Sequence, residues 1–260
     1  MSVHRKKFYE SLPKGGIIAE IGVFNGDGAR CILEHCQPKE LWLIDVWSPV
    51  VDNSTKRCLD HYLAILTWAK LNSTSNTKIK IIRDQSLAAA NFFPDEYFDW
   101  VFVDGDHRYG PVRDDLHVWT LKTKKDGYIC GDDFTLTYPM WEGVHKAVIE
   151  YVLKYIENKP DFLKGLMPLE ETWPSDYRVP QWLENILVGS MEHYPYPARI
   201  FKIKKSDLKK LPSADDRPIQ KPSDELVSAL PERMKKILEA KKSIFDLSDV
   251  LVYDASEKED

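Results

Sequence analysis

The sequence predicts an α/β protein built on a doubly wound, mostly parallel sheet. Short apolar runs rich in β-branched and aromatic residues alternate with helix-length segments between residues 17 and 134, and this alternation favours parallel strands joined by helices. Two of the runs, residues 100–103 and 128–130, end abruptly in acidic residues. Because ligands of such sheets bind beyond the carboxyl ends of the strands, we expect a polar site at that edge.

The first strand is expected over residues 17–24. A glycine-rich run, residues 22–28, overlaps its end and precedes a helix predicted over residues 29–35. Glycines at the end of a strand let the backbone turn tightly and approach a ligand, and the first amides of a following helix point towards that ligand. A tight connection that binds nothing has the same pattern, so the turn alone leaves both interpretations open.

The second strand, predicted over residues 41–46, carries Asp45 near its end, and a helix is predicted over residues 53–71. An acid about 20 residues beyond a glycine turn is where nucleotide-binding α/β folds hold ribose hydroxyls. A carboxylate accepts hydrogen bonds from both hydroxyls at once. A helix-capping aspartate is the alternative, and the position of Asp45 favours the ribose.

The third strand is predicted over residues 78–82, and a short helix over residues 87–92. Between them lie Asp84, Gln85 and Ser86, whose side chains offer the donors and acceptors that the edge of an adenine requires. An ordinary helix N-cap is an equally good interpretation of the same turn.

Strands four and five, residues 100–103 and 128–130, flank a helix predicted over residues 111–124. The apolar residues of this helix fall on one side, whereas Asp114 and Asp115 are expected on its solvated face. A strand, helix, strand unit of this kind is typical of a parallel pair, so the ends of both strands lie at one edge of the sheet.

Both of these strands lead into acids, Asp104 after the fourth and Asp132 and Asp133 after the fifth, and His107 follows Asp104 closely. Carboxylates gathered at one rim repel one another unless a positive charge lies among them. A hard divalent cation is the natural candidate. His107, with an unperturbed pKa of about 6.5, suits a general base at neutral pH, or it is a helix-capping residue.

The chain changes character after strand five. A helix is predicted over residues 143–156, and residues 158–198 interleave prolines with aromatic residues. Insertions at this point overhang the rim, so residues 134–198 are interpreted as an acceptor pocket or lid, with irregular packing as the alternative. Residues 200–204 predict an antiparallel strand at the end of the sheet.

The predicted organisation is one domain over residues 1–205 and a charged C-terminal extension over residues 206–260. Within the extension, a helix is predicted over residues 231–242 and an apolar end over residues 244–253. Because such an end docks on a partner subunit or on its own domain, a homodimer is the expected assembly.

Composition argues against several function classes. A net charge of −5 disfavours a nucleic-acid partner, because phosphate contacts require clustered lysine and arginine. The four cysteines show neither zinc-site spacing nor a secreted disulfide pattern, so we expect a cytoplasmic protein. No apolar run has the length of a signal-peptide core or a membrane span, so no membrane association is expected.

Four features together give the sequence a family resemblance. They are EIGVFNGDG at residues 20–28, Asp45, FVDGDHRYGPV at residues 102–112 and GYICGDDF at residues 127–134. With them the chain resembles the class I S-adenosylmethionine-dependent methyltransferases, which implies a Rossmann-like fold and S-adenosylmethionine (SAM) as the cofactor. Within that superfamily it is most similar to the divalent-metal O-methyltransferases, especially the branch that acts on sugars and macrolide glycosides.

The resemblance implies a role for each matching residue. His107 is implied as the catalytic base, and Asp104, Asp132 and Asp133 as ligands of Mg²⁺ or another divalent cation. The implied cofactor-binding residues are Glu20, Gly22, Phe24, Gly26, Asp45, Trp47, Asp84, Gln85, Ser86 and Asp104.

The expected function is transfer of a methyl group to a hydroxyl of a small-molecule acceptor such as a sugar. This reaction requires the protein to align the acceptor oxygen and to remove its proton. A nicotinamide-dependent oxidoreductase would share the sheet and Asp45, but it would favour G-x-G-x-x-G and would leave the acidic rim unexplained. A non-catalytic binding module with the same fold is the other alternative.

Overall fold

The computed structural model describes residues 3–47, 55–134, 142–156, 187–190, 199–212 and 252–254. Most of the predicted insertion and the helix predicted over residues 231–242 lie outside these residues. None of the described helices combines the length and the apolar character needed to cross a membrane.

The described residues contain eight strands and six α-helices. The strands are β1 (Ile17–Ile21), β2 (Glu40–Asp45), β3 (Lys78–Arg83), β4 (Phe98–Val103), β5 (Thr123–Phe134), β6 (Leu187–Ser190), β7 (Arg199–Lys204) and β8 (Val252–Asp254). The helices are α1 (Val3–Glu10), α2 (Asp27–Cys36), α3 (Thr55–Asn72), α4 (Ser86–Ala90), α5 (Tyr109–Lys122) and α6 (Glu142–Tyr155).

All eight strands form one sheet in the order β6-β7-β5-β4-β1-β2-β3-β8. The five inner strands, β1 to β5, are parallel, and β6, β7 and β8 pair antiparallel with their neighbours. The order of the strands reverses between β1 and β4, which is the point where open sheets of this kind bind ligands. The protein therefore has the predicted Rossmann-like, doubly wound α/β fold.

Helices cover both faces of the sheet because successive side chains of a strand point to opposite faces. On β2, Leu41 and Leu43 pack in the core that includes residues of α1, α2 and α3, whereas Trp42 and Ile44 pack in the core that includes residues of α4, α5 and α6. All four side chains are at most 1% exposed. Burial on both faces explains why these strands are continuous apolar runs in the sequence.

Two boundaries differ from the prediction for local reasons. β1 ends at Ile21 rather than at residue 24, because Gly22 has a φ of 84° and leaves the extended conformation. α5 ends at Lys122 rather than at residue 124, because Thr123 is extended, with φ −80° and ψ 139°, and pairs with Phe98 of β4. β5 consequently starts directly after the helix.

The two edges of the sheet also differ from the prediction. β7 is antiparallel as expected, but it is not the last strand, because β6 pairs with its outer side. At the opposite edge, β8 pairs antiparallel with β3, so that Asp254 lies opposite Lys80. The C-terminal extension thus contributes a strand to the same sheet as residues 1–205.

Gly22 joins β1 to the glycine-rich turn by a close approach to β4. The Gly22 N–H donates to the carbonyl oxygen of Ile44 at 2.8 Å, and the Asp104 N–H donates to that of Ile21 at 2.7 Å. A Cβ at position 22 would lie 2.2 Å from the backbone oxygen of Asp104. Together with the positive φ, this distance leaves room for glycine alone.

We therefore expect Gly22→Ala to lower the free energy of unfolding by at least about 2 kcal/mol, since a left-handed backbone costs a residue with a Cβ about 1–2 kcal/mol before any steric overlap. Urea denaturation measures the change. Gly110→Ala is the matched control, because a Cβ at Gly110 meets no atom within 4 Å and the residue lies in α5, where alanine is favoured. Equal losses in the two variants would contradict this account of Gly22.

Candidate active site

A cavity of about 1200 Å³ lies beyond the carboxyl ends of the parallel strands. Nine of the ten residues that were predicted to bind the cofactor line this cavity. The nine are Glu20, Gly22, Phe24, Asp45, Trp47, Asp84, Gln85, Ser86 and Asp104. The tenth, Gly26, does not line the cavity; a Cβ there would lie 2.1 Å from Cδ1 of Ile65, so this glycine allows the turn to pack against α3.

Glu20 is a buried acid beside the start of α2. It is 2% exposed, and its Oε1 lies only 1.9 Å from where a Cβ of Gly28 would stand. The N-terminus of a helix carries partial positive charge, which stabilises a carboxylate in this position. The missing side chain of Gly28 therefore makes room for the Glu20 carboxyl group in the cavity wall.

The Asp45 carboxylate holds the glycine-rich turn. Its Oδ2 accepts hydrogen bonds from the N–H groups of Val23 and Phe24, both at 2.8 Å, and its Oδ1 accepts one from the N–H of Trp47 at 2.8 Å. Phe24 and Trp47 have positive φ angles of 49° and 39°. Since a carboxylate has about four lone-pair directions, one acceptor position remains for a ligand hydroxyl in the cavity that Asp45 lines.

The turn after β3 is tied to α5 by buried hydrogen bonds. The Ser86 hydroxyl donates to Oδ1 of Asp115 and accepts from the indole N–H of Trp119 at 2.7 Å. Asp115 is 4% exposed, so the prediction that it lies on the solvated face of its helix is wrong. That side of α5 is covered because α4 packs against it. Burial raises the pKa of Asp115 to about 7.

Asp104, His107 and Asp133 are the single cluster of three possible metal-binding side chains in the described part of the chain. Their ligand atoms lie within 4.8 Å of one another, and Nε2 of His107 is 2.6 Å from Oδ2 of Asp133. Asp132, which was predicted as a third metal ligand, is not in this cluster; its Oδ1 accepts the N–H of Asp133 at 2.8 Å. The chain turns between the two acids because Asp133 has a φ of 58°.

The donor atoms of this cluster suit a divalent cation. Two carboxylates and one imidazole are ligands that Mn²⁺ and Zn²⁺ accept, whereas Mg²⁺ favours oxygen ligands alone. The same three side chains also suit proton transfer, because a carboxylate bonded to one nitrogen of an imidazole fixes the orientation of the ring. The geometry therefore fits a metal site and a general base held by an acid.

The loop that carries His107 is supported on two sides. The N–H and the guanidinium of Arg108 bind the Asp106 carboxylate at 2.8 Å and 2.9 Å. On the other side lies Gly143, in the first turn of α6, where a Cβ would be 2.3 Å from the His107 carbonyl oxygen. The sequence showed Gly143 only as the start of a helix, because its contact with the loop exists only once α6 has packed.

The surroundings of His107 favour its protonated form. The hydrogen bond that His107 donates to Asp133 raises the pKa of His107 above its usual value; burial opposes this effect, and the negative charges of Asp133, Asp104 and Asp106 reinforce it. A raised pKa makes the imidazole a stronger proton acceptor.

Residues 19–134 match a family model that is described as a methyltransferase domain. This segment is therefore similar to methyltransferase domains. It contains every residue that was predicted for the cofactor, the metal and the base, although the match covers less than half of the 260-residue chain. No curated protein matches the chain.

Solved structures resemble the chain only at low sequence identity. An rRNA methylase from Streptococcus thermophilus is 12% identical over 77% of this chain and 93% of its own, with a TM-score of 0.46. A Streptococcus mutans protein in complex with SAH is 10% identical over 76% of this chain and 94% of its own, with a TM-score of 0.44. YcgJ from Bacillus subtilis is 17% identical with a TM-score of 0.37, and this chain spans only 51% of its length and is itself covered to 51%. These similarities say nothing about the substrate of the methyltransferase domain.

We expect Asp133→Asn to lower the pKa of His107 in metal-free protein, because the hydrogen bond that His107 donates to the Asp133 carboxylate is the largest cause of its elevation. An NMR titration of the His107 ring measures this change. Asp132→Asn removes the neighbouring charge outside the cluster and serves as the control. Equal pKa shifts in the two variants would show that Asp133 has no special contact.

The same elevation fixes the sign of a pH effect on stability. Because the folded-state pKa of His107 is raised, its pairing with Asp133 stabilises the fold fully below the unfolded-state pKa of about 6.5. That contribution is lost as the pH rises through the folded-state pKa. Denaturation of the wild type and of Asp133→Asn across this range checks the sign, since the difference between them should shrink as the pH rises.

Proposed function

We propose that the protein is a SAM-dependent O-methyltransferase that methylates a hydroxyl of a small-molecule acceptor, a sugar or a related natural product. The observation that carries the proposal is that Asp104, His107 and Asp133 all line the cavity of the methyltransferase domain. A proton acceptor beside a cofactor-sized cavity is what methyl transfer to a hydroxyl requires. The choice of a sugar rests on the resemblance of the sequence motifs.

The lining of the cavity suits SAM. Gly105 and Gly110 contribute to it, and a Cβ at Gly105 would meet no atom closer than 3.9 Å and one at Gly110 none within 4 Å, so a ligand has access to the backbone there. Glu20 offers a negative charge to an ammonium group, and Asp45 offers an acceptor to a ribose hydroxyl. When bound, SAM supplies the sulfonium methyl group that is transferred.

His107 is the general base in this proposal. With Nε2–H donated to Asp133, Nδ1 is the nitrogen that takes the proton of the acceptor hydroxyl. The imidazolium that forms is then stabilised by the Asp133 carboxylate at 2.6 Å. General bases placed in this way accelerate proton transfer by about 10²–10⁴-fold.

A divalent cation is part of the proposal, with Asp104 and Asp133 as its ligands and Asp132 as the third ligand that the family resemblance implies. Such a cation lowers the pKa of a hydroxyl that it contacts and fixes the position of that hydroxyl. His107 is the alternative to Asp132 as the third metal ligand, because its ring lies beside the Asp104 and Asp133 side chains. If His107 is a metal ligand, replacing it should weaken metal binding; if it is only the base, metal affinity should not change.

The charge of the cavity favours a small molecule over RNA as the acceptor, although the Streptococcus thermophilus protein is described as an rRNA methylase. Nine carboxylate side chains line the cavity, against a single arginine, Arg108, and no lysine among its described lining residues. RNA-binding surfaces need clustered positive charge to hold phosphates. A neutral or cationic acceptor avoids this repulsion.

The first test is isothermal titration of SAM and of SAH into chelator-treated protein. We expect micromolar affinity for both, and Asp45→Ala should weaken both because it removes the proposed ribose acceptor and loosens the turn. Absence of binding by either ligand would overturn the proposal. Binding of nicotinamide nucleotides instead would support the oxidoreductase alternative.

The second test separates the two roles of His107 by titrating Mn²⁺ and Mg²⁺ into the His107→Gln, Asp132→Asn and Asp133→Asn variants. If His107 is the base, His107→Gln should keep its metal affinity and its SAH affinity and lose about 10²–10⁴-fold in turnover with an active sugar acceptor. Loss of metal affinity in His107→Gln with full affinity in Asp132→Asn would instead make His107 a ligand. Unchanged turnover in His107→Gln would remove it from the mechanism.

A further inference from the structure

Asp115 is a buried acid for which methyl transfer has no use. It lies in the middle of α5, is 4% exposed and still lines the cavity. Its Oδ1 accepts the hydrogen bond of the Ser86 hydroxyl. Its Oδ2 has no hydrogen-bond partner among the described residues. Because Asp115 lines the cavity, a ligand bound there has access to its carboxyl group and can complete its hydrogen bonding.

Ser86 positions this acid and is itself fully engaged. Its hydroxyl hydrogen goes to Asp115, and its oxygen accepts the indole N–H of Trp119. A serine hydroxyl has one hydrogen to donate, so Ser86 has none left for a base. The turn after β3 still offers Asp84 and Gln85 to a base, and the facing helix offers Asp115; all three line the cavity.

The charges around Asp115 favour its protonated form. Its pKa is raised to about 7, chiefly by burial; the hydrogen bond from Ser86 opposes this rise, and the charges of Asp114 and Asp106 add to it. Asp84, from the turn after β3, adds another acid to the same cavity.

The cationic side chains of this region contact groups other than Asp115. Arg113 binds Asp114 and Arg108 binds Asp106, and from α6 the Lys146 ammonium lies over the ring of Tyr109, 4.7 Å from its centre. No ion pair to Asp115 exists among the described residues. Near neutral pH, Oδ2 of Asp115 therefore carries a proton in a substantial fraction of the molecules.

We propose that Asp115 selects the base of the cofactor, donating a hydrogen bond from its protonated Oδ2 to the N1 ring nitrogen of adenine. The inference rests on the proposed SAM-binding function. Adenine has a lone pair at N1, which accepts from a neutral carboxyl group, whereas hypoxanthine has an N–H at the same position, which requires an ionised carboxylate. The protonation state of Asp115 thus decides which of the two bases fits.

The test is isothermal titration of the wild-type protein with SAH and with S-inosylhomocysteine, its hypoxanthine analogue, from pH 5.5 to pH 8.5. Affinity for SAH should fall as the pH rises above the pKa of Asp115, by up to about tenfold for each pH unit. Affinity for the hypoxanthine analogue should rise over the same range. Parallel pH profiles for the two ligands would overturn the proposal without the need for any variant.

Two substitutions at Asp115 sharpen the test. Asp115→Asn keeps an oxygen for Ser86 and an N–H donor for N1 but does not titrate, so SAH affinity should stay within about threefold of wild type at pH 6 and lose its dependence on Asp115 ionisation. Asp115→Leu removes the donor and should weaken SAH binding by about tenfold. Asp114→Asn removes a charge that raises the pKa of Asp115, so SAH affinity should still fall with rising pH in this variant, with its midpoint moved to lower pH.

The outcomes separate this proposal from the function on which it rests. If the wild type binds neither SAM nor SAH at any pH, the methyltransferase function itself fails. If the wild type binds SAH with the same pH profile as Asp115→Asn, only the role of Asp115 fails.

Discussion

Repulsion among acids at one edge of the sheet is the constraint on which the rest of the structure depends. Parallel strands place all their carboxyl ends on the same side, and here nearly every one of them leads into a carboxylate. Five of the nine acids that line the cavity are offset by different local partners. These partners are backbone amides for Asp45, Arg30 for Asp27, Arg108 for Asp106, Arg113 for Asp114 and His107 for Asp133. The cavity stays negative overall, which suits a cationic cofactor.

The backbone at this edge is bent into conformations that side chains rarely adopt. Phe24, Trp47 and Asp133 follow or end β1, β2 and β5, and all three have positive φ angles. Such conformations cost about 1–3 kcal/mol each and persist where the surroundings determine them. The Asp45 carboxylate does so for the first two, by binding the amides that follow β1 and β2. Asp133 is held by its hydrogen bond to His107.

A second layer behind the cavity fixes the side chains that face it. Gly143 brings α6 against the backbone of His107, and Trp119 and Ser86 together hold Asp115. These contacts join segments more than 25 residues apart, because they form between helices on one face of the sheet. The position of the proposed base and of the buried acid is thus a property of helix packing on that face.

The amino-acid sequence alone predicts β1 to β5, β7 and α2 to α6 in their order along the chain, together with the glycine-rich turn, Asp45 and the acids after β4 and β5, because the apolar runs and turn residues that specify them are local. Residues 19–134, which hold these features from Glu20 to Asp133, are also the segment that matches the methyltransferase family model.

Only the tertiary structure decided that Asp133 rather than Asp132 pairs with His107, that Asp115 is buried, and that β8 joins the edge of the sheet. The positive φ of Asp133 directs this acid, rather than Asp132, towards the imidazole of His107. Helix α5 looks half solvated in the sequence, but α4 and α6 pack against it. No periodicity or motif spacing in the sequence predicts either effect, since both depend on which surfaces meet after the chain has folded.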